Sequence, residues 1–149
     1  MPTDALLAYF HFVAIIGTVS FLVAEAVLCR PGLDGALAHR LKRVDVAYAG
    51  FAVVALATGL LRLFWGAKGS GFYTHNPVFH AKMTVYVAVA LLSIVPTVRF
   101  VKWSKAALAT GRGPDDAAVQ AVRRFIAAEL ALVALLPLLA ALMARGVGM

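Results

Sequence analysis

Four residues could do chemistry from places where a membrane makes such residues costly: His11, Arg62, His80 and Lys82. Lys82 is the sharpest case, because it stands in a run from Val78 to Val98 that is otherwise uncharged apart from its neighbour His80. A lysine costs about 2.5 to 3.5 kcal/mol at the centre of a membrane crossing, and less near the ends, where its stem reaches the interface. An ionisable side chain kept there is a candidate for function, with partners expected on the other helices. A histidine can ligate iron, and arginine or lysine can hold a carboxylate. On that chemistry His11 is the candidate metal ligand and Lys82 the candidate ligand or catalytic proton donor. Arg62 is the candidate partner of a cofactor carboxylate, with Lys68 and His75 close by in a loop. Together they would suit an anionic or porphyrin-like ligand such as haem b. The plainer alternative has Lys82 and Arg62 reaching the interface and His11 hydrogen-bonded to a neighbouring helix. A metal site of His11, His75 and His80 would follow no regular spacing motif.

A second set is acidic: Glu25, Asp45 and Glu129. Arg40, Arg43, Arg99, Arg123 and Arg124 lie near them along the chain. Carboxylates inside a membrane pair with cations or carry protons and ions. One reading is a charge-paired clamp that holds the helices in register. The other is a proton or cation path through Glu25, Asp45 and Glu129, as in a small transporter.

Composition says what must position these groups. The chain has 149 residues, 62% of them hydrophobic and 14% charged, with a mean hydropathy of +0.88. Soluble domains average about 45–50% apolar, and a chain this short cannot hide the excess in its core. It must face lipid. The net charge of +7 comes with no recognition helix or aromatic stacking platform, so nucleic acid is not the expected partner. The single cysteine, Cys29, cannot form an internal disulfide.

A crossing needs about 20 apolar residues, and four segments qualify. They run approximately over 5–28, 44–64, 78–103 and 114–145, forming one all-α transmembrane domain over 1–149. The first apolar run is too long for a signal-peptide core and reads as a retained anchor. Asn76 and Pro77 suit the N-cap and first position of the third helix. Pro96 and Pro137 predict bends in the third and fourth. Trp65, Trp103, Tyr9 and Tyr73 read as an interfacial aromatic belt. Arg30, Arg40, Lys42 and Arg43 fall between spans one and two, and six more basic residues lie around the turn from span three to span four. Lys68 and Arg145 stand against them at the other end. The positive-inside rule then puts both termini on the outer, periplasmic side of a bacterial inner membrane. The expected partners are the bilayer and further copies of the chain.

Helical phase says which side chains can meet. His11, Thr18 and Glu25 are spaced by seven and share a stripe. Asp45, Tyr48, Ala52, Ala55, Gly59 and Arg62 share another, rich in small residues that let helices approach closely in lipid. Lys82, Tyr86 and Ser93 lie within about 40° of one another, with His80 about 160° from Lys82. Lys82 and His80 therefore cannot both face the centre, and Lys82 is expected inside.

Several of these stretches resemble a family of predicted bacterial membrane proteins known only as a domain of unknown function, family 2214. The residues are Glu25 with Arg30-Pro31-Gly32, Arg43-Val44-Asp45 with Tyr48, and Gly66-Ala67-Lys68-Gly69 with Phe72-Tyr73. Asn76-Pro77 through Lys82, Leu92 to Thr97, and Met143-Ala144-Arg145-Gly146 continue the likeness. It implies a four-helix membrane protein and no established activity. A looser likeness is to the integral-membrane protoporphyrinogen oxidase (HemJ) family and its copper-resistance relatives. There an early histidine and a His-x-Lys at the start of helix three are implicated in haem binding and oxidoreductase activity. His11 and His80-Ala81-Lys82 match those positions. Leu91-Leu92-Ser93 stands where that family has a histidine-rich helix end.

Overall fold

The computed structural model describes residues 2–65 and 70–148. Lys68 and the rest of the Gly66–Gly69 motif lie outside the described residues. The chain forms α1 (Pro2–Leu28), α2 (Gly35–Trp65), the short α3 (Ser70–Thr74), α4 (Pro77–Thr110) and α5 (Asp116–Ala144). The four long helices are each apolar and long enough to cross a bilayer, which makes the protein an all-α, multi-pass membrane bundle. Neighbours run α1–α2–α4–α5 and back to α1, so among the described residues α1 faces α4, and α2 faces α5, only across the diagonals. Both termini lie at one end of the bundle, here the terminal end. The connections 29–34 and 111–115 lie at the other, the loop end.

Lipid tails are as apolar as leucine, so helices associate through close packing and hydrogen bonds rather than hydrophobic exclusion. The α1–α2 contact shows how. Gly17 has no Cβ, and the Phe51 ring lies where one would stand, 2.4 Å from the position it would take. Phe21, one turn further along α1, stacks on Phe51 at 5.5 Å and 21°.

Two helices outrun the lengths expected of them. α2 begins at Gly35, not near Val44, because Asp34 accepts from the Leu37 amide at 2.7 Å and starts a helix that only later becomes apolar. α4 runs to Thr110, not to about Trp103, and stops at Gly111, whose φ of 71° lets its N–H reach Ala107 O. At 1.5 Å per residue its 34 residues span about 51 Å, well beyond a core of about 30 Å. α4 stays helical through Pro96, as α5 does through Pro137. The extra turns let the loop end build a core of Leu22, Leu41, Phe100, Val119, Val122 and Ile126. Trp103 departs from its expected interfacial place: it is buried there, 5.7 Å from Phe100.

The ends are tied by side chains. Asn76 caps α4 by accepting from the Val78 amide at 2.8 Å, with Pro77 in the first turn. Its amide also donates to Val147 O at 3.2 Å, joining the C-terminal segment to the same point. Asp115 caps α5 through the Ala118 amide, and Asp116 accepts from the Gly32 amide at 2.7 Å. Both inter-helix connections at the loop end are thereby fixed to one another.

Candidate functional site

Two polar layers lie inside this bundle. The layer at the terminal end is basic. His11 on α1 approaches Thr58 on α2, with Nδ1 3.0 Å from Oγ1. That hydroxyl already donates to Val54 O at 2.7 Å, so it accepts from the Nδ1 proton. In the neutral ring the lone pair is then left on Nε2. Gly59 makes room for the imidazole, since a Cβ there would sit 3.1 Å from Cε1.

Lys82 on α4 is half-buried, whereas His80 is exposed, its Nε2 2.9 Å from Thr74 O. One turn further along the Lys82 stripe, the Tyr86 hydroxyl donates to Ala52 O of α2 at 2.7 Å, so this face of α4 is turned to α2. Lys82 and Arg62 are both close enough for their charges to act on the His11 ring, and Arg62 acts on Lys82 as well. Among the described residues, Arg62 Nε is buried without a hydrogen-bond partner. Neither cation has an ion-pair partner among the described residues. His75 turns its Nδ1 to Gly71 O at 3.0 Å. His11, His75 and His80 do not come together: among the described residues no three His, Cys, Asp or Glu side chains are placed to hold a metal ion.

The layer nearer the loop end is acidic. Glu25 on α1, Asp45 on α2 and Glu129 on α5 are 1%, 2% and 0% exposed. The Tyr48 hydroxyl donates to Glu129 Oε2 at 3.1 Å, and Thr97 on α4 donates to Asp45 Oδ1 at 2.8 Å. All four spanning helices thus contribute. Glu25 lies within electrostatic reach of both other carboxyls. Glu25 Oε1 and Glu129 Oε1 have no hydrogen-bond partner.

The charge-paired clamp read from the sequence is not what holds this layer. Among the described residues, none of its carboxyls has an ion-pair partner. Arg40, Arg43, Arg99 and Arg124 are exposed. Arg123 is committed elsewhere, donating to Cys29 O at 2.5 Å and to Ala26 O at 3.4 Å. The reason is local: the last turn of α1 carries no basic residue of its own, and its unpaired carbonyls take a cation from α5 instead. Beside them the Cys29 thiol, just past the end of α1, is pushed up to about 11 by burial, against the pull of Arg123.

Sequence reasoning missed the roles of Thr58 and Thr97. It also missed His39 and Ser104, paired at 3.0 Å in a loop-end pocket of about 270 Å³. Only their helical phase could have marked them.

No curated protein and no solved structure matches this chain significantly. The profile of one family covers residues 3–148, nearly the whole bundle and every residue of both polar layers. The chain belongs to that family, the predicted membrane proteins of DUF2214.

Proposed function

We propose that the protein handles protons within the membrane, as a small proton-coupled carrier working through Glu25, Asp45 and Glu129. The observation that carries this reading is three buried carboxyls, from three helices, with no ion-pair partner among the described residues. Three bare negative charges in one dry region repel one another and lose their hydration, so such a cluster persists only when protons or a bound cation compensate it. Intramembrane carboxyls facing a bundle interior typically mark such pathways. Tyr48 and Thr97 supply hydroxyl groups that can pass a proton between them and the carboxyls. The excess of Lys and Arg at the loop end supports an orientation with that end cytoplasmic and both termini outside, in a bacterial inner membrane. The test is pH-driven flux in liposomes holding the purified protein and a trapped pH dye. Glu25→Gln and Glu129→Gln are expected to abolish protein-dependent flux; flux equal to wild type in both would reject the reading.

A second reading, a haem- or porphyrin-associated oxidoreductase, is favoured by one specific arrangement. Thr58 fixes the His11 ring through Nδ1, which leaves Nε2 as a donor for iron. The buried Arg62 Nε and half-buried Lys82 fit the carboxylates such a group carries. His11 would hold the iron, Arg62 a carboxylate, and Lys82 a second carboxylate or a proton. When bound, the group would supply one-electron chemistry. Haemin titration of the purified protein is expected to give a Soret band that His11→Ala removes; its absence in wild type would end this reading.

A further inference from the structure

The terminal-end layer has an electrostatic problem that the rest of the bundle does not solve. Arg62 and Lys82 bring two positive charges from neighbouring helices into the same half-buried region. Like charges there repel, and each has lost part of its hydration. Among the other described basic side chains, all but the half-buried Lys42 lie exposed, and Arg123 also finds backbone carbonyls. Arg62 Nε does neither: it is buried and unpaired. The geometry keeps the two cations together. Tyr86, bonded to Ala52 O, turns the Lys82 face of α4 onto α2. His11, seated over Gly59 and held by Thr58, fills the α1 side one turn from Arg62.

We infer that Arg62 and Lys82 form a binding site for an anionic phosphate group, with His11 forming its third wall. An oxyanion placed between them turns one repulsion into two attractions and gives Nε the acceptor it lacks. A guanidinium suits phosphate because its forked donors match the spacing of two phosphate oxygens. Depth agrees. Arg62 lies in the last turn of α2. Trp65 at the end of that helix is 71% exposed, as expected of an aromatic at headgroup level. Phosphates of lipid headgroups are found at that level, and so is free phosphate entering from water. The site rests on neither functional reading above.

Two measurements on the full chain in detergent separate the sources. Native mass spectrometry after exposure to an equal mixture of phosphatidylglycerol and phosphatidylcholine reads retained lipid. Titration calorimetry with inorganic phosphate reads the free ion. Retention of phosphatidylglycerol over phosphatidylcholine supports a headgroup site, and phosphate binding supports a free-anion site. Whichever is seen is expected to weaken by about tenfold or more in Arg62→Gln and in Lys82→Met, and by less in Arg62→Lys, which keeps the charge but loses the forked donors. Lys82→Met removes a charge from an apolar region, so it provides a folded test even if Arg62→Gln does not fold. Failure of wild type to hold either probe would overturn the site. So would wild-type binding in Lys82→Met, which would move the anion to the exposed arginines of the loop end.

Discussion

Tyr48 and Glu129 meet across a diagonal of the bundle. The tyrosine hydroxyl on α2 donates to Glu129 Oε2 on α5 at 3.1 Å, although these helices are not neighbours. Both side chains are buried, Tyr48 at 4% and Glu129 at 0% exposure, so water cannot replace the bond. Tyr48→Phe keeps the ring and deletes the donor. Glu129 Oε1 is already unpaired, so the variant leaves the whole carboxyl without a partner. A buried polar group stranded in this way costs about 1–3 kcal/mol. The expected outcome is a lower midpoint of thermal unfolding in detergent, read on the folded, monodisperse fraction. An unchanged midpoint would mean that the pair contributes nothing across the diagonal.

The acidic layer makes a stability prediction that separates a proton-bearing cluster from a clamp. Removing one partner of a buried ion pair costs about 3–5 kcal/mol, because the other charge is left bare. Here no cation is left behind, since among the described residues Glu25 and Glu129 have no ion-pair partner. Glu25→Gln and Glu129→Gln are therefore expected to change stability by no more than about 1 kcal/mol, the net size of a neutral hydrogen bond. Denaturant unfolding with far-UV circular dichroism measures it. A loss of several kcal/mol in either variant would restore the clamp.

Gly17 tests the α1–α2 packing. A Cβ on it would lie 2.4 Å from the Phe51 ring, which is itself held by Phe21. Gly17→Ala gains about 0.8–1.0 kcal/mol of helix propensity, but forcing the ring aside costs about 1–3 kcal/mol. The variant is expected to be destabilised overall, and Gly17→Val more so. Gly50 is the control. Nothing lies within 4 Å of a Cβ there, so Gly50→Ala is expected to hold or raise the unfolding midpoint. If both alanines behaved alike, close approach at Gly17 would not be what joins the two helices.

Where hydropathy and local chemistry act together, the chain was legible. The four crossings are marked by apolar length, and the start of α4 by Asn76-Pro77. Phase alone separated Lys82 from His80, and the structure leaves the first half-buried and the second exposed. The start of α2 was misread because hydropathy reports where a helix enters lipid, while Asp34 reports where it begins. Partners of charges were the least legible. Five arginines near three carboxyls suggested ion pairs, yet Tyr48 and Thr97 took Glu129 and Asp45, and Arg123 went to the end of α1. Which donor reaches a buried acceptor depends on helix rotation and on unpaired backbone carbonyls elsewhere, neither of which is written in the spacing of one segment.

Cys29 offers a measurement outside the crossings. Burial pushes its thiol up to about 11, although Arg123 lies beside it. Only the thiolate attacks an alkylating reagent. An ordinary cysteine with a pKa of about 8.5 is roughly a tenth ionised near pH 7.5, while a thiol at about 11 is ionised only to a few parts in ten thousand. The sign is that of an acid raised above its unfolded value. The folded state favours the neutral thiol, and its contribution is complete below the ordinary cysteine range and fades as pH rises toward 11. Labelling of the folded protein with maleimide near pH 7.5 is thus expected to be slower than that of the unfolded chain by at least about two orders of magnitude, with burial slowing it further. The rate is expected to rise about tenfold per pH unit through pH 10. A rate that levels off near pH 8 would show an ordinary, water-exposed thiol, and with it an α1 terminus that Arg123 does not close.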